Sequence, residues 1–89
     1  MALKGESEVE TRVALIGIII EDMHSVEKLN ALLHEYNQYI IGRMGVPYRE
    51  KNISIISVVV DAKEDLISTL AGKLGMLSGV NVKTIYSKK

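Results

Sequence analysis

Hydrophobic positions along the chain follow two rhythms, a period of two in three stretches and a period of three to four in two others. Residues 11–20 carry Val13, Leu15 and Ile19 on one alternating face and Ala14, Ile16, Ile18 and Ile20 on the other. A run that is apolar on both faces reads as a strand covered on both sides. Glu21-Asp22-Met23-His24-Ser25 breaks it, and Ser25 is a suitable N-cap for a helix. Val26, Leu29, Leu33, Tyr36 and Ile40 then recur at helical spacing, with Leu32 beside them. Glu27, Lys28, Asn30, His34, Glu35 and Asn37 lie off that stripe. This predicts an amphipathic helix ending near Tyr39.

Residues 40–46 are extended but contain Gly42 and Gly45, with Arg43 on one face, which predicts a bulged or edge strand. Residues 47–52, beginning at Pro47, form the turn. Residues 53–60 are again apolar on both faces, Ile53, Ile55 and Val59 against Ile56, Val58 and Val60. Asp61 and Glu64 have the spacing of a capping box. The second helix carries Leu66, Ile67, Leu70, Ala71 and Leu74 on one side, with Lys73 in its last turn and Gly75 as its stop. Gly72 inside it costs about 1 kcal/mol relative to alanine, which predicts a close packing contact there. Finally Val80, Val82, Thr84 and Tyr86 alternate with Asn81, Lys83 and Ile85.

The order β-α-β-β-α-β predicts an α+β domain of ferredoxin-like topology, a four-stranded antiparallel sheet with both helices on one face. One domain spans residues 11–88, behind a polar lead-in over residues 1–10 with Glu6, Glu8 and Glu10 alternating. In this topology the first and third strands are central, and these are the two that are apolar on both faces. Two helices cover only one face. The uncovered set, taken as Ile16, Ile18, Ile56 and Val58 with the opposite parity as the alternative, is expected to form the interface of a homodimer or homotetramer.

Composition narrows the function. Eleven basic residues balance eleven acidic ones, so no excess charge advertises direct contact with nucleic acid. The absence of cysteine removes disulfides, thiolate metal sites and cysteine nucleophiles. The longest apolar run, residues 13–20, falls far short of the ~20 residues of a membrane helix, and no signal peptide opens the chain, so a cytoplasmic protein is expected.

Candidate chemistry is sparse. His24 and His34, ten residues apart, stand roughly 15 Å apart along a helix, too far to share a metal within one subunit; a metal shared across an interface stays open. Glu21 and Asp22 end the first strand, where they suit a helix N-terminus. Around Gly72-Lys73-Leu74 a phosphate loop fails, because Ile67 and Leu74 stand where glycine and Ser or Thr are required. Gly42-Arg43-Met44-Gly45 has the G-x-x-G form of KH domains but leads into a proline turn instead of a helix. Arg43, Tyr48 and Arg49 around Pro47 remain as a candidate site for a small anion or a partner's carboxylate. No acid-base set converges, so no enzyme activity, cofactor or metal is expected.

Three segments together resemble a known family: IGRMGVPYR at residues 41–49, IISV at 55–58 with Asp61-Ala62, and LAGKLG at 70–75 followed by GVNVK at 79–83. They are similar to the small proteins described as iron-only hydrogenase system regulators, over about residues 11–88. The resemblance implies an ACT-like version of the ferredoxin fold, related to the C-terminal domain of nickel-responsive repressors, and a role beside the hydrogenase system. It transfers neither nickel nor amino-acid binding. Cysteine is lacking, residues 1–10 are too few for a DNA-binding domain, and residues 21–25 lack the glycine of amino-acid-binding ACT turns. The expectation is an oligomeric module that binds a small-molecule effector or a hydrogenase-system protein. A direct nucleic-acid-binding transcriptional regulator and a purely structural assembly subunit are the alternatives.

Overall fold

A computed structural model describes residues 10–89; the lead-in expected over residues 1–10 lies outside them apart from Glu10. The chain runs β1 (Arg12–Ile20), α1 (Val26–Glu35), β2 (Ile40–Tyr48), β3 (Ile53–Ala62), α2 (Glu64–Gly75) and β4 (Val80–Tyr86). Short 3-10 turns occupy Met23–Ser25, Asn37–Tyr39 and Arg49–Lys51. The strands form one sheet in the order β2-β3-β1-β4, every neighbouring pair antiparallel. This is the ferredoxin-like α+β arrangement that the element order predicts, with β1 and β3 central.

Register explains the core. Ile16 stands opposite Val58, and Ile18 opposite both Ile56 and Val82. Ala14 faces Val60, and Ile20 faces Val80. All of these β1 and β3 residues, with Val80, are buried beneath Leu29 and Leu33 of α1 and Ile67, Leu70 and Leu74 of α2. Ile16, Ile18, Ile56 and Val58 are thus the domain's own core, and the parity expected for the interface is the wrong one. The opposite parity of both strands faces away from the helices.

Local details depart from the sequence reading in four places. Ser25 is not the side-chain cap of α1: it is buried, and its hydroxyl donates to the Ser78 carbonyl at 2.6 Å. Asp22 caps the preceding 3-10 turn instead, accepting from the His24 amide at 3.0 Å, and α1 itself has no side-chain cap among the described residues. Asp61 does not form a capping box, because β3 runs on through Ala62 and α2 begins after Lys63 without a side-chain cap. A Cβ on Gly72 would meet nothing within 4 Å, so no tight contact accounts for that glycine. The second strand extends through Pro47 to Tyr48. Proline is tolerated there because β2 is an edge strand, and Ile41 is the bulge between Ile40 and Gly42.

One junction holds the two halves together. Glu21, at the end of β1, donates its amide to the Gly79 carbonyl, and the Ser78 hydroxyl donates to Asp22 at 3.0 Å. Gly79 has φ of +66°, and a side chain there would fall 2.5 Å from the Asp22 Cβ and 2.8 Å from its backbone nitrogen. Only glycine meets both demands. On the helix surface, Lys73 donates to the Tyr36 hydroxyl at 3.1 Å, which ties α2 to the end of α1 and holds the ammonium above its ordinary pKa.

Ile16→Ala is expected to lower the unfolding free energy by about 2–5 kcal/mol, against less than about 0.5 kcal/mol for the exposed Met76→Ala, as read by urea denaturation. Gly79→Ala should cost more than about 1 kcal/mol in the same assay, because strain and the collision with Asp22 act together.

Candidate functional site: the open face of the sheet

With the even-numbered residues of β1 and β3 under the helices, the other face of the sheet carries Val13, Leu15, Gly17 and Ile19 from β1. Ile53, Ile55, Ser57, Val59 and Asp61 come from β3. β4 adds Asn81 opposite Ile19, Lys83 opposite Gly17 and Ile85 opposite Leu15. β2 adds Met44 opposite Ser57, Val46 opposite Ile55 and Tyr48 opposite Ile53. Alternation forces this outcome: a strand apolar on both parities buries one and presents the other.

The presented set is large. Val13, Leu15, Ile19, Met44, Val46, Tyr48, Ile55 and Ile85 each leave between 38% and 66% of their surface exposed. Together they amount to on the order of 700 Å² of mostly apolar surface, beyond the 300–600 Å² of the largest patch on a typical monomer.

Near the middle of the face lies a furrow. Met44, Ser57, Gly17 and Lys83 form one row across the four strands. Gly17 and Ser57 are too short to rise between the rows on either side. The resulting groove holds about 280 Å³ and is walled on one side by the cross-strand pair Ile19 and Ile55, with Asn81 and Lys83 at its β4 end. A larger cleft of about 710 Å³ lies over the start of α2, between Arg12, Lys63, Glu64 and the C-terminal lysines. It is wide, polar and crossed by the Arg12–Glu64 ion pair at 3.2 Å, so it offers solvated charge and no enclosure.

The structure does not bring Arg43, Tyr48 and Arg49 together as one site. Arg43 stands opposite Val58 on the helix side of the sheet and donates to the Asn30 side chain of α1 at 3.1 Å. Tyr48 is on the open side, where its hydroxyl donates to Glu50 at 2.7 Å; that carboxylate raises the phenol's pKa. Arg49 belongs to the exposed turn between β2 and β3. The period-two geometry of β2 separates the first two residues, which a reading based on their nearness in sequence overlooks.

Asp22, His24 and Ser78 meet at the β1–α1 junction, but the carboxylate sits between the other two. The His24 imidazole lies 3.2 Å from one oxygen, and the Ser78 hydroxyl donates to the other. The imidazole does not reach the serine, whose only side-chain partner among the described residues is the Asp22 carboxylate, so the arrangement is a clasp and not a serine activated by a histidine. His34 is exposed on α1, and no group of three or more metal-ligating side chains gathers among the described residues. No helix among them is long and apolar enough to cross a membrane.

A ferredoxin-like α+β domain with one bare apolar sheet face defines the class. The family model described as TM1266-like, "Iron-only hydrogenase system regulator, putative", matches residues 12–84, and the chain belongs to this family. Protein TM1266 from Thermotoga maritima is 39% identical, with 89% of this chain and 100% of that one covered and a TM-score of 0.85. A formyltetrahydrofolate deformylase from Pseudomonas putida KT2440 shares the fold alone. Its identity is 14% and its TM-score 0.60, over 82% of this chain and 28% of that enzyme. A nitrogen regulatory PII-like protein from Thiomonas intermedia K12 aligns more loosely, at 21% identity and a TM-score of 0.48 over 89% of this chain and 96% of that one. No curated protein matches the chain significantly.

The clasp has a pH signature. The His24 amide, then the Ser78 hydroxyl, hold the Asp22 carboxyl below its ordinary value of 3.8, against an opposing contribution from desolvation. A carboxylate with a lowered folded-state pKa stabilises the fold above its unfolded pKa, and loses that contribution as pH falls through the folded one. Thermal unfolding of the wild type and of Asp22→Ala should therefore differ fully near neutral pH. The gap should close as pH drops below 3.8.

Proposed function

We propose that the chain is a non-catalytic regulatory module of the iron-only hydrogenase system that works as a homodimer joined through its open sheet face. The observation that carries this reading is the continuous apolar surface that crosses β1, β2 and β3 and reaches Ile85 of β4. Its extent, on the order of 700 Å², is close to the roughly 800 Å² that each partner buries in a standard interface. An identical copy is the occupant that the surface favours. The face carries few charges, Lys83 and Asp61 among them and of opposite sign, so no strong field selects a polyanion or a basic partner. Membership of the regulator family supplies the context. The lack of a convergent acid-base set supports a role in binding over catalysis.

Sedimentation velocity tests the assembly. The wild type should run as a dimer at micromolar concentration, and Ile55→Glu, which places a charge in the middle of the face, should shift it to monomer with its circular dichroism unchanged. A wild type that stays monomeric across the concentration range refutes the interface. In a host with an iron-only hydrogenase, deletion of the gene should change hydrogenase activity. The wild type should restore it and the monomeric variant should not.

A further inference from the structure

Nothing inside the fold requires the furrow to have a bare floor. A Cβ on Gly17 would meet only the Lys83 carbonyl oxygen at 3.8 Å, an ordinary contact, and Gly17 is not among the residues of positive φ. Alanine fits there, while glycine within a strand weakens it and often marks a place where another group approaches the backbone. The space it leaves is the 280 Å³ groove. Its chemistry is lopsided. The lining is almost wholly apolar: Ile19 and Ile55, cross-strand partners, form one wall, Ser57 lies in the floor, and Asn81 and Lys83 border it at the β4 end. Lys83 pairs with no carboxylate among the described residues. The carboxylate on the same face, Asp61, stands opposite Val13, four positions along β1 from Gly17. That is roughly 13 Å at the rise of a strand.

We infer that this furrow binds a small molecule with an apolar body and a single carboxylate, the body over Gly17 and Ser57 and against Ile19 and Ile55, the carboxylate on Lys83. The inference rests on the self-association proposed above for its roof. With a second copy over the face, Lys83 leaves water, and a cation that leaves water needs an anion at its side. An amine is repelled there, and an alcohol leaves the charge unpaired. The volume lies just below the 300–1,000 Å³ of sites for drug-sized ligands, which suits a short aliphatic monocarboxylate and is too small for a nucleotide.

The probes are octanoate, octanol and octylamine, titrated into the full chain and followed by proton–nitrogen NMR and by sedimentation velocity. Octanoate should give saturable shifts at Gly17, Ser57 and Lys83 and tighten the dimer, with octanol and octylamine at least tenfold weaker. Lys83→Met should weaken octanoate at least tenfold, Lys83→Arg should keep it, and both should remain dimeric without ligand. Gly17→Val, which fills the floor, should weaken all three probes. A wild-type dimer that ignores octanoate, binds octylamine equally, or binds octanoate independently of Lys83 overturns the site and leaves the association standing. A monomer that binds octanoate through Lys83 supports the site and overturns the association. A monomer that binds nothing overturns both.

Discussion

Two helices lie over one side of a four-stranded sheet whose two central strands are apolar on both sides, and most of what this molecule can do follows from that mismatch. Ala14, Ile16, Ile18 and Ile20 of β1 pair across the sheet with Val60, Val58, Ile56 and Ser54 of β3, and the helices close over this parity. Leu15, Ile19, Ile55 and their neighbours on the other parity have no covering element among the described residues. Most monomers of this size avoid such a face, because its exposure favours association without selecting a partner. Here the face is interrupted at Gly17, Ser57 and Lys83, so its shape is specific where its hydrophobicity is not.

The clasp at the β1–α1 junction keeps that face in register. Glu21 and Gly79 join the end of β1 to the start of β4, and Asp22 reaches both the first helical turn and Ser78. The β1–β4 pairing is thereby fixed at the end where Ile20 meets Val80. A slip of one residue would turn Lys83 into the core and bring Val82 out. The polar groups nearest to a catalytic constellation therefore serve the geometry of the sheet, with the aspartate held between the histidine and the serine.

The topology was legible because each segment had one period, and because the two strands apolar on both faces had to be central. Parity was harder to read. On period alone, Ile16 and Leu15 are equivalent candidates for either face. The distinguishing signal lies in the interruptions. The even positions run without a break through Ala, Ile and Val from Ala14 to Ile20 and from Ile56 to Ala62, with Arg12 and Ser54 only at the strand starts, whereas the odd positions are broken by Gly17, Ser57 and Asp61. A core tolerates such breaks poorly, since each leaves a gap or an unpaired polar group. β4 carried the same message in its Asn81 and Lys83. The site at Arg43, Tyr48 and Arg49 failed for a related reason: residues close along an edge strand point to opposite sides of it.

A regulatory module acts on a pathway if something alters its assembly, and the position of the furrow bears on this directly. A ligand held wholly within one subunit shifts association only indirectly. One whose body lies on Ile19 and Ile55 and whose roof is a second copy binds the dimer better than the separated chains, and mass action then stabilises the dimer as ligand accumulates. The coupling is reciprocal, so association raises ligand affinity by the same factor. In the proposed dimer Lys83 would give this linkage its selectivity, because the face would close over a cation that water no longer solvates. An occupant without a negative charge leaves that cost in place and drives assembly less than its apolar contact alone would suggest.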